Sequence, residues 1–197
     1  MKPMPILFST PMVQAILNGT KTQTRRVVPQ KMFDEYVEYC EYCVSMLTKC
    51  NIDQDQCMQE YFLECARYQV GDVLYIRETW MPETEQGIPT GGYIYKAVSQ
   101  VYPDGDTPLR WRPSIHMPYV AARLFLRLTD VRVERLQDIN EADAYLEGMD
   151  DQNGERVCHF ERLWNKINGK RCGGSYAWEK NPWVWVYTFE SFRRMNL

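Results

Sequence analysis

The sequence predicts an α+β fold: a small β-barrel of about six short strands, with flanking short helices and one helical insertion. Three observations carry this. Short alternating or apolar runs recur along the chain, bounded by Gly, Pro, Asn and Asp. Outside residues 31–69, helical periodicity is confined to brief segments. Residues 31–69 contain neither Gly nor Pro and differ in composition from what flanks them.

Taken in order, Pro5 to Ser9 reads as a strand. Thr10-Pro11 starts a helix, with Thr10 as cap and Met12, Val13, Ile16 and Leu17 at helical spacing. Asn18-Gly19 ends it, and Gly19 suits a left-handed C-terminal cap. The β-branched stretch through Val28 then reads as a strand. Val73 to Glu78 is a strand, Pro82 to Gly92 a loop and Tyr93 to Val98 a further strand. Pro103 to Pro118 is irregular. Leu124 to Val133 is the clearest strand, with a phase shift at Asp130 that suggests a bulge. Asn140 caps a short helix ending at Gly148, a second helix covers His159 to Ile167, and Trp183 to Phe189 is the final strand.

Bulk properties bound the function. A length of 197 residues suits one domain, 1–197, carrying an elaboration. A net charge of −3 and a pI near 5.5 argue against a generic polyanion binder. Nucleic acid, if bound, is met through a local basic patch or a nucleoside-sized pocket. No run approaches the ~18 to 20 apolar residues of a membrane span, and the first nine residues lack a signal-peptide stretch. The expected compartment is therefore the cytoplasm. Seven Cys, an odd number, also argues against a closed disulfide framework.

The insertion, residues 31–69, reads as two short helices separated near Asn51 to Asp53. Cys40 and Cys43 have zinc-ligand spacing, and Cys50, Cys57 and Cys65 offer the remaining ligands. Against this, Tyr36, Cys40, Cys43 and Leu47 form a helical stripe, as do Cys57, Tyr61 and Cys65, and Cys is commonly a small buried apolar residue. The expectation is no cofactor, with zinc as the lesser alternative.

The most informative stretch is Gly19 to Arg26. A Gly turn at a helix end lets backbone approach a ligand closely, and Lys21, Thr24 and Arg26 place an amine, a hydroxyl and a guanidinium on one short segment. On spacing alone, a solvated basic turn competes with a binding site. The segment Ile16 to Arg26 resembles the signature turn of the ASCH family, in the PUA-like superfamily: a Gly, a Lys two places on, and an Arg seven places after the Gly. Gly19, Lys21 and Arg26 fit it. Thr24 stands where many members have Glu and where the bacterial N4-acetylcytidine amidohydrolases have Thr. Gly71 to Trp80, Pro113 to Pro118, Asp130 to Leu136 and Asn181 to Val186 are similar to stretches of phage and prophage ASCH proteins. The resemblance covers most of the chain except 31–69.

The resemblance implies a PUA-like barrel that binds RNA or a modified nucleoside. It also implies a Lys-Thr-Glu catalytic set: Lys21, Thr24 and, at the end of the short helix after the long strand, Glu147. Thr24 would attack an acyl carbonyl as Lys21 took its proton, and Glu147 would orient Lys21 or shuttle the proton to the leaving amine. A free lysine titrates near ~10.4, so a base here requires depression by burial or by Arg26. The competing reading of Glu147 is an ordinary exposed helix-end carboxylate.

Arg77, Glu78 and Trp80 end a strand and are candidates for a second wall, with Trp80 stacking on a base and Arg77 reaching a phosphate. The alternative is a strand-end ion pair beside a core Trp. His116, in the loop beside Ser114, is a further candidate. Three function classes follow: an RNA- or nucleoside-binding module, an amidohydrolase acting on an acylated nucleoside, and a phage accessory protein whose insertion binds a host protein.

Overall fold

A computed structural model describes residues 2–46, 54–85, 88–99, 110–150 and 154–193, with backbone alone at 40–46. The fold is mixed α and β. Strands β1 (Met4–Leu7), β3 (Val73–Arg77), β6 (Leu124–Arg135), β7 (Trp183–Arg193) and β2 (Gln23–Val27) form a five-stranded sheet in that order. Strands β4 (Trp80–Glu85) and β5 (Ile88–Tyr95) form a separate two-stranded sheet. The strands are thus divided between two sheets and do not close into one six-stranded barrel.

The chain divides into two compact units, which β6 and β7 both enter. The first comprises Met1–Thr22, Val70–Thr129 and Phe189–Leu197. Here β1 pairs in parallel with β3, Met4 beside Leu74 through Leu7 beside Arg77. β3 pairs antiparallel with the start of β6. Helix α1 (Thr10–Leu17) buries Val13 and Ile16, its apolar face at helical spacing. Its N-cap is Ser9, not Thr10, because Thr10 already has helical geometry and Pro11 follows within the first turn. At the other end Gly19 has φ +77, and the Thr20 and Lys21 amides donate to the Ala15 carbonyl. This left-handed cap turns the chain out of the helix.

The β4–β5 hairpin replaces the loop expected over Pro82 to Gly92. Its prolines and glycines sit in a two-stranded ribbon with a register shift between Pro82 and Thr84. An edge ribbon tolerates residues that a central strand does not. Gly91 has φ +86, and Gly92 leaves room for the Glu83 carboxylate, which a Cβ there would meet at 2.2 Å. Behind the hairpin, Trp80, Met117, Ala121, Ala122 and Phe125 pack together, against Tyr93 and Tyr95 among others.

The second unit comprises Gln23–Gln69 and Asp130–Thr188. β2 pairs antiparallel with β7, Thr24 opposite Tyr187 and Arg26 opposite Trp185. Helices α2 (Gln30–Met46) and α3 (Gln54–Glu64) are the insertion, helical as the absence of Gly and Pro predicts. They join their unit through aromatic contacts. Phe62 meets Phe33 at 4.7 Å and Trp183 at 6.5 Å between ring centroids, and the Trp185 indole donates to the Phe62 carbonyl at 2.7 Å. Helix α4 (Glu141–Leu146) starts as predicted: the Asn140 side chain accepts from the Asp143 amide. Helix α5 (Arg156–Asn168) buries Phe160 and Trp164. β6 runs past Asp130 to Arg135, and its burial slips phase there, with Leu128 and Val131 buried and Thr129 and Asp130 exposed.

Among the described residues, no helix is long and apolar enough to cross a membrane. Among the same residues, no group of His, Cys, Asp and Glu is placed to hold a metal ion. The side chains of Cys40, Cys43 and Cys50 lie outside the described residues; Cys57 and Cys65 are half-buried thiols.

Candidate functional site

The Gly19–Arg26 segment enters the interior almost at once. Lys21, Gln23, Thr24 and Arg25 are 3–4% exposed, which removes the reading of a solvated basic turn. Lys21 belongs to the first unit, where its ammonium lies 5.7 Å from the centre of the Phe8 ring. Thr24, Arg25, Arg26 and Glu147 belong to the second.

In the second unit the charge is organised around Arg25, whose side chain is fully buried. Its guanidinium donates from Nη1 to Glu147 at 3.2 Å and to Gln23 at 3.1 Å. Nη2 lies 2.5 Å from Glu134 and 3.2 Å from Asp143. Arg132 extends the network through Nε to Glu134 at 3.1 Å and Nη2 to Asp143 at 3.4 Å. A planar guanidinium suits this role, since its several N–H donors fan out to several carboxylates at once.

Glu147 is 3% exposed, so it is not the solvated helix-end carboxylate that competes in the sequence reading. It is the residue at which α4 stops, and its amide bonds back to Asp143 and Tyr145. Gly148, with φ +89, then turns the chain away. The helix end therefore delivers the side chain inward.

Thr24 and Arg26 share strand parity with Tyr187 and Trp185 on β7. Arg26 is half-buried. Burial lowers its guanidinium below the ordinary value, opposed by Glu147, Tyr68 and Tyr187 and reinforced by Arg171. It remains a cation, as arginine does throughout the physiological range. Tyr68 and Tyr187 meet edge to face at 5.4 Å, and burial raises both phenols above their usual value. The neighbouring arginines act in the opposite direction.

The other residues singled out by sequence lie in the first unit. Glu78 is 1% exposed and receives both Nε and Nη2 of Arg123 at 2.9 Å. The Arg123 guanidinium in turn covers the Tyr95 ring at 4.1 Å. Arg77 donates to the Ile115 carbonyl. Trp80 is buried, with Tyr93 at 5.5 Å and the Arg112 guanidinium at 5.2 Å from its ring. His116 is exposed on a short 3₁₀ turn, Ser114–His116.

No family model matches this chain, and no curated protein does. A solved structure, protein EF3133 from Enterococcus faecalis V583, described by the family model DUF984, is similar across 100% of this chain and 84% of its own. The two share 11% identity, with a TM-score of 0.46.

The residue that sequence reasoning passed over is Arg25. Its partners left a faint signal: Asp143 on α4 and Glu147 at its end are four apart, and Arg132 and Glu134 share strand parity. Nothing local ties those carboxylates to residue 25.

Proposed function

We propose that the chain is an ASCH-type protein of the PUA-like superfamily that binds RNA or a modified nucleoside through a polar site on β2. Thr24, Arg26 and Glu147 are its residues in the second unit. The observation that carries this reading is the burial of Glu147, whose carboxylate is hydrogen-bonded to the β2 arginine next to Thr24. Buried charge is expensive and marks either a structural knot or a functional site. Here it falls on the one carboxylate that the family resemblance assigns to catalysis. The resemblance adds Gly19 and Lys21 to the set.

A second reading is favoured by the burial of Lys21 and Thr24, 3% and 4% exposed. Burial is the condition that a lysine base must meet. In this reading the protein removes an acyl group from a nucleoside such as N4-acetylcytidine. Incubation with N4-acetylcytidine and unmodified cytidine, with product analysis and calorimetric binding in parallel, tests both readings. Release of cytidine establishes hydrolysis, and binding without turnover leaves the binding module. Wild-type protein that binds neither nucleosides nor short RNA overturns the proposal.

A further inference from the structure

The net charge of −3 conceals an imbalance between the two units. The first unit carries ten Lys and Arg against seven Asp and Glu, and the second thirteen against nineteen. A polyanion disfavoured by the overall charge is therefore not disfavoured by the first unit. One face of that unit's sheet carries aromatic rings. Tyr75 on β3 stands opposite Phe125 on β6, and Val73 opposite Arg127, so all four share that face. Phe125 is buried, and two rings that are 38% and 40% exposed, Tyr119 and Phe192, lean on it. Phe192, near the end of β7, stacks on Phe125 at 5.7 Å with 23° between the ring planes. Tyr119 meets Phe125 edge to face at 6.3 Å and Tyr75 at 5.0 Å. The short 3₁₀ turn that carries it, Tyr119–Ala121, is pinned: Ala121 is buried, and its carbonyl accepts from the Tyr95 hydroxyl at 2.7 Å. Arg127 is exposed two residues along β6 from Phe125 and, among the described residues, has no ion-pair partner. Single exposed apolar residues are ordinary, but a connected set of rings held in place from below marks a binding surface. Charge selects the ligand: a polynucleotide offers flat bases to the rings and phosphates to the cation beside them.

We propose that this face of the first unit is a stacking surface for a single strand of RNA, with bases on Tyr119 and Phe192 and a backbone phosphate on Arg127. Every residue of the surface belongs to the first unit. It is an addition to the β2 site of Thr24, Arg26 and Glu147 and does not rest on what that site binds. Tyr75 and Phe125 act from beneath: they hold the two outer rings in position, so that little side-chain freedom is lost when a base arrives.

Fluorescence anisotropy with a labelled oligouridine of about twelve nucleotides, within the usual span of such surfaces, tests it on the whole chain at low salt. The double variant Tyr119→Ala/Phe192→Ala is expected to bind about tenfold or more weakly than wild type. Tyr119→Phe keeps the ring and should retain most of the affinity. Arg127→Ala is expected to flatten the dependence of log affinity on log salt by about 0.7, the share of one phosphate on a single strand. Tyr145→Ala, an exposed aromatic of the second unit, is the control and keeps wild-type affinity. If the double variant does not fold, the salt slope of Arg127→Ala decides. Oligouridine binding that a folded double variant keeps at wild-type strength overturns the surface, as does a salt slope unchanged in Arg127→Ala. Wild-type protein that binds cytidine but not oligouridine overturns it and leaves the nucleoside reading standing. Wild-type self-association that the double variant abolishes, without oligouridine binding, makes the face a protein interface and overturns it too.

Discussion

Arg25 and Glu147 are 122 residues apart in the chain, yet Nη1 of one donates to Oε1 of the other at 3.2 Å, with both residues buried. The pair joins the strand that carries Thr24 to the helix end after α4. It is therefore both a structural clamp and the positioning element of the candidate site. Removing one partner of a buried ion pair strands the other without water. Arg25→Met would remove the buried cation shared by Glu134, Asp143 and Glu147, although Arg132 still reaches the first two. The expected loss is about 3–5 kcal/mol, read as a lowered urea midpoint by tryptophan fluorescence. Arg25→Lys keeps the charge but not the fan of donors, and should fall between. An Arg25→Met protein within about 1 kcal/mol of wild type, the scale of an exposed pair, contradicts the clamp.

Glu78 tests the same physics in the first unit. Its carboxylate is held by two hydrogen bonds from Arg123, whose side chain is 25% exposed. Glu78→Gln should cost roughly 3 kcal/mol, the low end for a broken buried pair. Arg123→Leu exposes Glu78 to water and should cost less. A double-mutant cycle on the pair should return a coupling within the usual ~0.5–3 kcal/mol for contacting residues. If Glu78→Gln leaves stability unchanged while nucleoside affinity falls, its role is in the ligand site instead.

These two arginine pairs mark where the sequence stopped being legible. Local features were readable: the Asn140 cap, the Gly19 turn and the helical insertion depend on residues close in sequence. The β4–β5 hairpin was not, because Pro82, Pro89, Gly91 and Gly92 are the signals of a loop, and only pairing across the ribbon overrides them. The burial of Glu147 has no local signal in the sequence. A carboxylate at a helix end is ordinarily solvated, and its burial follows from Arg25, a partner that no local pattern connects to it. The links from Arg25 to Glu134, Asp143 and Glu147 are of this kind: long-range, polar and tied to residue 25 by no local pattern.

Alkaline pH offers a third check. Burial raises the folded-state phenols of Tyr68, Tyr95, Tyr176 and Tyr187 above the unfolded value of about 10. The sign follows from proton counting. Above pH ~10 the unfolded chain loses these protons and the folded chain keeps them, so stability is full below that pH and falls as pH rises. Each phenol adds at most about 1.4 kcal/mol per pH unit. Denaturation midpoints measured between pH 8 and 11 should be flat at first and then decline. Tyr187→Phe should make the decline shallower. A slope unchanged in that variant would show that Tyr187 ionises equally in both states.

The sharpest prediction concerns Lys21, since one substitution separates binding from cleavage. Lys21 is buried, and its ammonium lies near the Phe8 ring. If the chain cleaves an acyl nucleoside, Lys21→Ala and Thr24→Ala should each abolish turnover, because base and nucleophile act as a unit. Lys21→Arg should be equally dead, as a guanidinium does not give up its proton near neutral pH. If the chain only binds, Lys21→Arg retains a cation able to meet a phosphate or carbonyl oxygen, and much of the affinity should survive. Calorimetry and a product assay on the same preparations read both quantities. Circular dichroism confirms that the larger, buried guanidinium has not unfolded the chain, and Lys21→Met supplies an uncharged side chain of similar length as a control. Turnover by Lys21→Arg protein would remove Lys21 as the base. Loss of affinity in Lys21→Met alongside retention in Lys21→Arg would identify the positive charge itself, not its proton, as what the site uses.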